Sequence, residues 1–106
     1  MFFTGNQGDD VNEYTLSTGF DISTASFVDS FSVSAQETNP KGLSFNSDGT
    51  EMFVVGITGQ DINQYTLSTG FDVSTASFVA SYSVSSENAS PEAIVFSPDG
   101  TKMFMS

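Results

Sequence analysis

Thirteen carboxylates supply nearly all the side-chain chemistry open to this 106-residue chain. Lys41 and Lys102 are its only basic residues, and it has neither His nor Cys. The commonest general base and metal ligand is therefore missing. A thiolate site or a disulfide is ruled out in the same way. Carboxylates alone run acid–base chemistry when two are held together. The tightest grouping along the chain is Asp9, Asp10 and Glu13. Calcium needs ~6–8 oxygen ligands, which this grouping does not approach. The expectation is a chain with no catalytic residue, no metal and no cofactor.

The net charge of −11 repels phosphate backbones and anionic lipid surfaces. Nucleic acid and membrane are thus not expected partners. No apolar run reaches the ~18 residues of a membrane helix. No basic stretch leads into an apolar one at the start. Eleven Phe and three Tyr argue for a packed core over disorder, because disordered chains are poor in aromatics.

What positions these residues is a repeat. Residues 13–28 read EYTLSTGFDISTASFV and residues 64–79 read QYTLSTGFDVSTASFV, identical at fourteen of sixteen positions with an offset of 51. The offset holds without gaps elsewhere. Phe45, Asp48, Gly49, Thr50, Met52 and Phe53 match Phe96, Asp99, Gly100, Thr101, Met103 and Phe104. Met1, Phe2, Gly5, Gly8 and Asp10 match Met52, Phe53, Gly56, Gly59 and Asp61. The repeat units are 1–51 and 52–102, and Met1–Thr4 and Met103–Ser106 are the same stretch of the repeat.

Apolar residues recur at period 2, which predicts strands and no helix. Four are expected in 42–84: Gly42–Asn46, Glu51–Gly56, about Asp61–Leu67, and Ala76–Val84. Ile62 is out of phase with Tyr65 and Leu67, which suggests a bulge near Asn63–Gln64. Phe78, Tyr82 and Val84 are expected to face inward. Asp48-Gly49 and Asp99-Gly100 are hairpin turns, since Gly accepts the positive φ they demand.

The hairpins SDGTEMFVVG and SPDGTKMFMS resemble those of YVTN-type and WD40-like β-propeller repeats. The preceding PKGLSFN is similar to that family's opening segment. Trp and the Gly-His pair of the WD40 pattern are missing. The resemblance implies all-β, four-stranded antiparallel meanders as propeller blades, two per chain. A fold of this kind hosts many unrelated activities. By resemblance alone, a metal-assisted lactonase is the alternative, and an extracellular, cell-surface or virion-associated location is favoured.

Repeat units each bury their faces against neighbours, and about three are needed for stability. Two blades are therefore expected to close into a ring with other copies of the chain. Propellers carry ~4–8 blades, so a trimer is preferred and a tetramer is next. Residues 42–84 form one intact blade. A shared blade takes 1–34 from one chain and 93–106 from its neighbour.

The two copies diverge mainly in one set of loops: NQGD against ITGQ, and AQETNPK against SSENASPE. Those loops carry the candidate ligand-binding residues Asn6, Gln7, Asp9, Asp10, Glu37, Asn39, Thr58, Gln60, Asp61, Glu87 and Asn88. The function read from this is a self-assembling, non-catalytic scaffold or binding module that presents polar loops to a glycan or a surface protein.

Overall fold

Alternating Val, Phe, Tyr, Ser and Thr favour extended backbone, and the chain is all-β. A computed structural model describes residues 1–106. Nine strands form antiparallel sheets: β1 Phe2–Gly5, β2 Asp10–Leu16, β3 Ala25–Ser32, β4 Pro40–Phe45, β5 Glu51–Gly56, β6 Asp61–Leu67, β7 Ala76–Ser83, β8 Ile94–Phe96 and β9 Met103–Met105. They pair in chain order into a three-stranded sheet β1-β2-β3, a four-stranded sheet β4-β5-β6-β7 and a two-stranded hairpin β8-β9. Helical backbone is limited to single 3-10 turns at Ile22–Thr24 and Val73–Thr75.

The repeat is visible in the register. Val11 pairs with Phe31 and Ile62 with Tyr82, residues that correspond at the 51-residue offset. A bulge falls between Glu13 and Tyr14 and again between Gln64 and Tyr65. Before it, side chains alternate in one phase; after it, they alternate in the other. That shift turns both Ile62 and Tyr65 inward, and both are buried.

Two cores hold the sheets together. Val11, Val33, Met52, Val54, Tyr65, Leu67 and Val73 fill the space between the three- and four-stranded sheets. Val55, Ile62, Val84 and Ile94 lie between the four-stranded sheet and the hairpin. Strand β5 contributes to both, and Met52, Val54 and Val55 are fully buried. Full burial of such side chains contributes roughly 1.5–3 kcal/mol each.

Phe78 and Tyr82 do not face inward as expected. They are 45% and 69% exposed. Phe78 is exposed in both copies, its repeat mate Phe27 being 58% exposed; for Tyr82 the reason is the neighbour, not the strand. Phe31, the repeat mate of Tyr82, packs edge-on against Tyr65 of the next sheet at 5.5 Å. The sheet on the other side of the four-stranded one is only the two-stranded hairpin, which meets β4 and β5, so Tyr82 has no equivalent of β6 to pack on.

The β4–β5 turn is closed by its own side chains. Asp48 Oδ1 accepts from Thr50 N at 3.1 Å and Thr50 Oγ1 at 2.6 Å. Asn46 Oδ1 accepts from Glu51 N at 2.9 Å. Gly49 sits at φ 73 and Gly100, in the β8–β9 turn, at φ 72. Their surroundings differ: a Cβ on Gly49 would overlap the Phe71 ring, whereas one on Gly100 would meet nothing within 4 Å. Left-handed backbone costs a residue with a Cβ roughly 1–2 kcal/mol, and overpacking adds about 1–3 kcal/mol. Gly100→Ala is expected to lower stability by about 1–2 kcal/mol and Gly49→Ala by about 2–5 kcal/mol. Urea denaturation of the two variants checks the ordering.

Candidate functional site

The loops that diverge between the repeats do come together, and their polar groups are largely engaged with one another. Glu37 lies in the connector between β3 and β4 and is 1% exposed. Its Oε1 accepts from Asn39 N at 2.6 Å and Thr58 N at 3.2 Å, and its Oε2 from Gly59 N at 2.9 Å. It is seated over Gly56, where any Cβ would overlap it. The carboxylate thus ties the connector to the β5–β6 loop. Its oxygens serve the fold.

Asn39 takes part in the same lock, because its carbonyl accepts from Ile57 N at 3.3 Å. Its Oδ1 is buried without a partner, as is Asp9 Oδ1. Asp9 and Gln60 occupy equivalent left-handed positions at φ 50 and 54. Their carbonyls accept from Val33 N at 2.8 Å and Val84 N at 2.9 Å. Gln60 also donates through Nε2 to Ala89 O at 2.9 Å. Asp10 and Asp61 each hold the Asn two residues on, at 2.9 and 2.8 Å. Asn88 Oδ1 accepts from Ser90 N at 2.9 Å. Asn6, Gln7, Thr58 and Glu87 have exposed side chains. Glu87 accepts from Ser86 Oγ at 3.1 Å.

Sequence reasoning noted Tyr65 for its phase and Glu13 for its acidic neighbours, and did not place either at the junction between the sheets. Tyr65 is buried there, and its hydroxyl donates to Gln36 Oε1 at 3.0 Å. Burial first, then the charges of Asp61 and Glu37, hold its phenol well above the ordinary value, so it stays a donor. Glu13 Oε1 accepts from Val73 N at 3.1 Å, across the same junction. Phe71 completes an aromatic cluster with Phe2 and Phe45 at 6.2 and 5.5 Å. The signal available in the sequence was an aromatic residue following Gly in a loop, the TGFD of both copies.

The junction on the other side of the four-stranded sheet begins in the same way. Phe53 and Phe96 stand 4.5 Å apart at 46°, and their repeat mates Phe2 and Phe45 stand 4.6 Å apart at 49°. There the likeness stops, and a cleft of about 590 Å³ opens between the two Asp-Gly turns. Phe45, Phe53, Phe96, Ser97, Asp99 and Gly100 are among its lining residues. No protein-family model matches the chain, and neither does any curated protein sequence.

Removing the Glu37 carboxylate takes the acceptor from three backbone amides in a part-buried place. Each unsatisfied donor costs about 1–3 kcal/mol. Glu37→Ala is therefore expected to destabilise the fold by about 3 kcal/mol or more, and Asn88→Ala by less than about 1.5 kcal/mol, both measured by thermal unfolding.

Asp99 lines the cleft fully exposed, and hydrogen bonds from Ser97, then from Thr101 backbone and side chain, lower its carboxyl to about 2. A lowered value means the turn is supported above the ordinary 3.8 and loses that support as pH falls toward about 2. An NMR titration of the Asp99 carboxyl carbon is expected to give a midpoint near 2.

Proposed function

We propose that this chain is a self-assembling, non-catalytic scaffold of β-propeller blades. Two blades per chain join head to tail with other copies into a closed ring, three copies being preferred and four the next choice. One observation carries the reading. Val73 and Ile22 are repeat mates in near-identical loops, yet Val73 is fully buried and Ile22 is 76% exposed. Val73 has a preceding sheet to pack against, and Ile22 has none.

The matching geometry of the two Phe pairs supports the same reading. Each unit meets the previous one through the same Phe contact. A repeated head-to-tail operation either closes into a ring or runs on as a filament. A four-stranded meander for each 51 residues favours a radial blade, because solenoid coils run roughly 20–30 residues.

The open edges fit this arrangement. Strand β1 pairs only with β2, and β8 pairs only with β9. In the four-stranded sheet, β5 lies between β4 and β6. By the 51-residue offset β1 stands for β5, and β8 stands for β4. A β8 strand from another copy thus belongs beside β1, and β1 takes the place that β9 holds next to β8 within one chain. Strand addition of this kind satisfies backbone groups that an edge leaves open. Exposed Asn6, Gln7 and Thr58 would then recur around the ring, where repetition multiplies weak contacts with a glycan or a surface protein.

Light scattering over a dilution series tests the proposal. Three times the chain mass of 11.3 kDa is expected at micromolar concentration. Because every copy carries a net charge of −11, the midpoint should move to lower concentration as salt is raised from low to moderate levels. A cooperatively folded single chain at all these concentrations overturns the proposal.

A further inference from the structure

Phe71 sits at φ 60, a left-handed conformation that a bulky residue seldom adopts. Its surroundings account for it. The ring lies on Gly49 and against Phe45 and Phe2. Its amide donates to Gly49 O at 3.0 Å, and Gly70 fits so closely over Asp48 O that a Cβ would collide. The side chain is a plug held in a socket. The socket is the Asp-Gly turn plus one Phe from each of two sheets.

Phe20 is the repeat mate of Phe71 and has the same backbone, φ 61. The loop around it has the same hydrogen bonds. Asp21 Oδ1 accepts from Ser23 N at 3.1 Å, and Asp72 Oδ1 from Ser74 N at 3.1 Å. Phe20 is nonetheless completely exposed, and a Cβ on Gly19 would meet nothing within 4 Å. The plug is formed and strained, but it touches no socket.

A socket of matching composition stands empty at the other end of the molecule. Adding 51 to Phe2, Phe45 and Gly49 gives Phe53, Phe96 and Gly100. These three residues line the 590 Å³ cleft. Phe53 and Phe96 are already paired as Phe2 and Phe45 are.

We propose that Phe20 of a second copy of this chain seats in that cleft, against Phe53, Phe96 and Gly100. The inference rests on the assembly reading and names the contact that closes it. The rest of the internal junction supplies the companion contacts. Glu13 accepts from Val73 N, so Gln64 Oε1 takes Ile22 N of the second copy. Phe31 packs on Tyr65, so exposed Tyr82 packs on Tyr14 of the second copy. Gln36 receives the Tyr65 hydroxyl, so Glu87 receives that of Tyr14. Each orphan on one face has its complement on the other, so the face fits another unit of this same repeat, which a second copy of the chain supplies.

Phe20→Ala and Phe20→Trp test the contact. Phe20 is fully exposed in its own chain, so at a concentration that keeps them assembled both variants should retain the wild-type far-ultraviolet circular dichroism, whereas the denaturant midpoint of Phe20→Ala should fall with its association. Phe20→Ala should weaken association about 10- to 100-fold in sedimentation equilibrium, the effect of leaving one Phe unburied. In Phe20→Trp the new residue is the only Trp. Its emission should be blue-shifted in the assembly and move to the red on dilution. If the wild type assembles but Phe20→Ala associates equally well, or the indole emits as if fully solvated within the assembly, the plug contact is overturned and the assembly reading stands. If the wild type remains monomeric at hundreds of micromolar, both fall.

Discussion

The structure depends on one constraint: a sheet in this chain is apolar on faces that only another sheet can cover. The four-stranded sheet shows the satisfied condition on its inner side. Met52, Val54, Tyr65, Leu67 and Val73 meet Val11 and Val33 with no solvent between them. The unsatisfied condition appears in their repeat mates. Ile22, where Val73 has its counterpart, is left in water. Identical local sequence therefore yields opposite burial, and the difference is set by the neighbouring sheet. Backbone geometry does not follow burial in the same way. The loops at Phe20 and Phe71 agree within a degree in φ. Local hydrogen bonds build each loop, and tertiary contact only decides whether its apolar tip is covered.

Those local hydrogen bonds explain how so acidic a chain folds with two basic residues. Its carboxylates mostly face backbone amides and hydroxyls. Asp21, Asp48, Asp72 and Asp99 each accept from a backbone amide two residues on. Glu37 takes three amides from two segments. A carboxylate satisfied by amides needs no cation beside it, and the charged acceptor makes the bond stronger than a neutral one. The cost appears at long range, where like charges repel across the surface and depend on salt for screening.

The sequence and the structure agree best where geometry is local. Period-2 patterning located the strands to within one or two residues: the fourth was expected at Ala76–Val84 and is Ala76–Ser83. The phase slip between Ile62 and Tyr65 pointed to the bulge at Gln64/Tyr65. Asp-Gly marked both turns. The same reading misjudged Phe78 and Tyr82, because alternation tells which side chains share a face and not whether that face is covered. It also grouped Glu37 with exposed polar loops. Nothing in AQETNPK reveals that one carboxylate folds inward over Gly56; that depends on a loop some twenty residues further along the chain. The identity of the STGFD tract was legible, whereas its reason was not. Asp, Ser and Thr there close the loop, and Phe is its projecting contact.

Strand pairing and the aromatic plug are two parts of one geometry. In the four-stranded sheet, Phe71 can reach Gly49 because β4 and β6 flank β5, which brings the β4–β5 turn beside the β6–β7 loop. The amide of Leu67 fixes that approach by donating to Thr50 O at 2.8 Å. Phe20 and the Gly100 turn take up the same relation only if β8 of one copy lies beside β1 of the other. In the proposed assembly the strand exchange would set the position of the plug, and the plug would make the exchange favourable. Within its own chain β8 gains from β9 a hairpin with exposed Phe104 and Met103. From β1 of another copy it would gain a strand already backed by β2 and β3, and a two-stranded edge would become part of a four-stranded sheet. Either pairing would give β8 a backbone partner. The difference lies in what is carried behind the strand, and that is apolar surface.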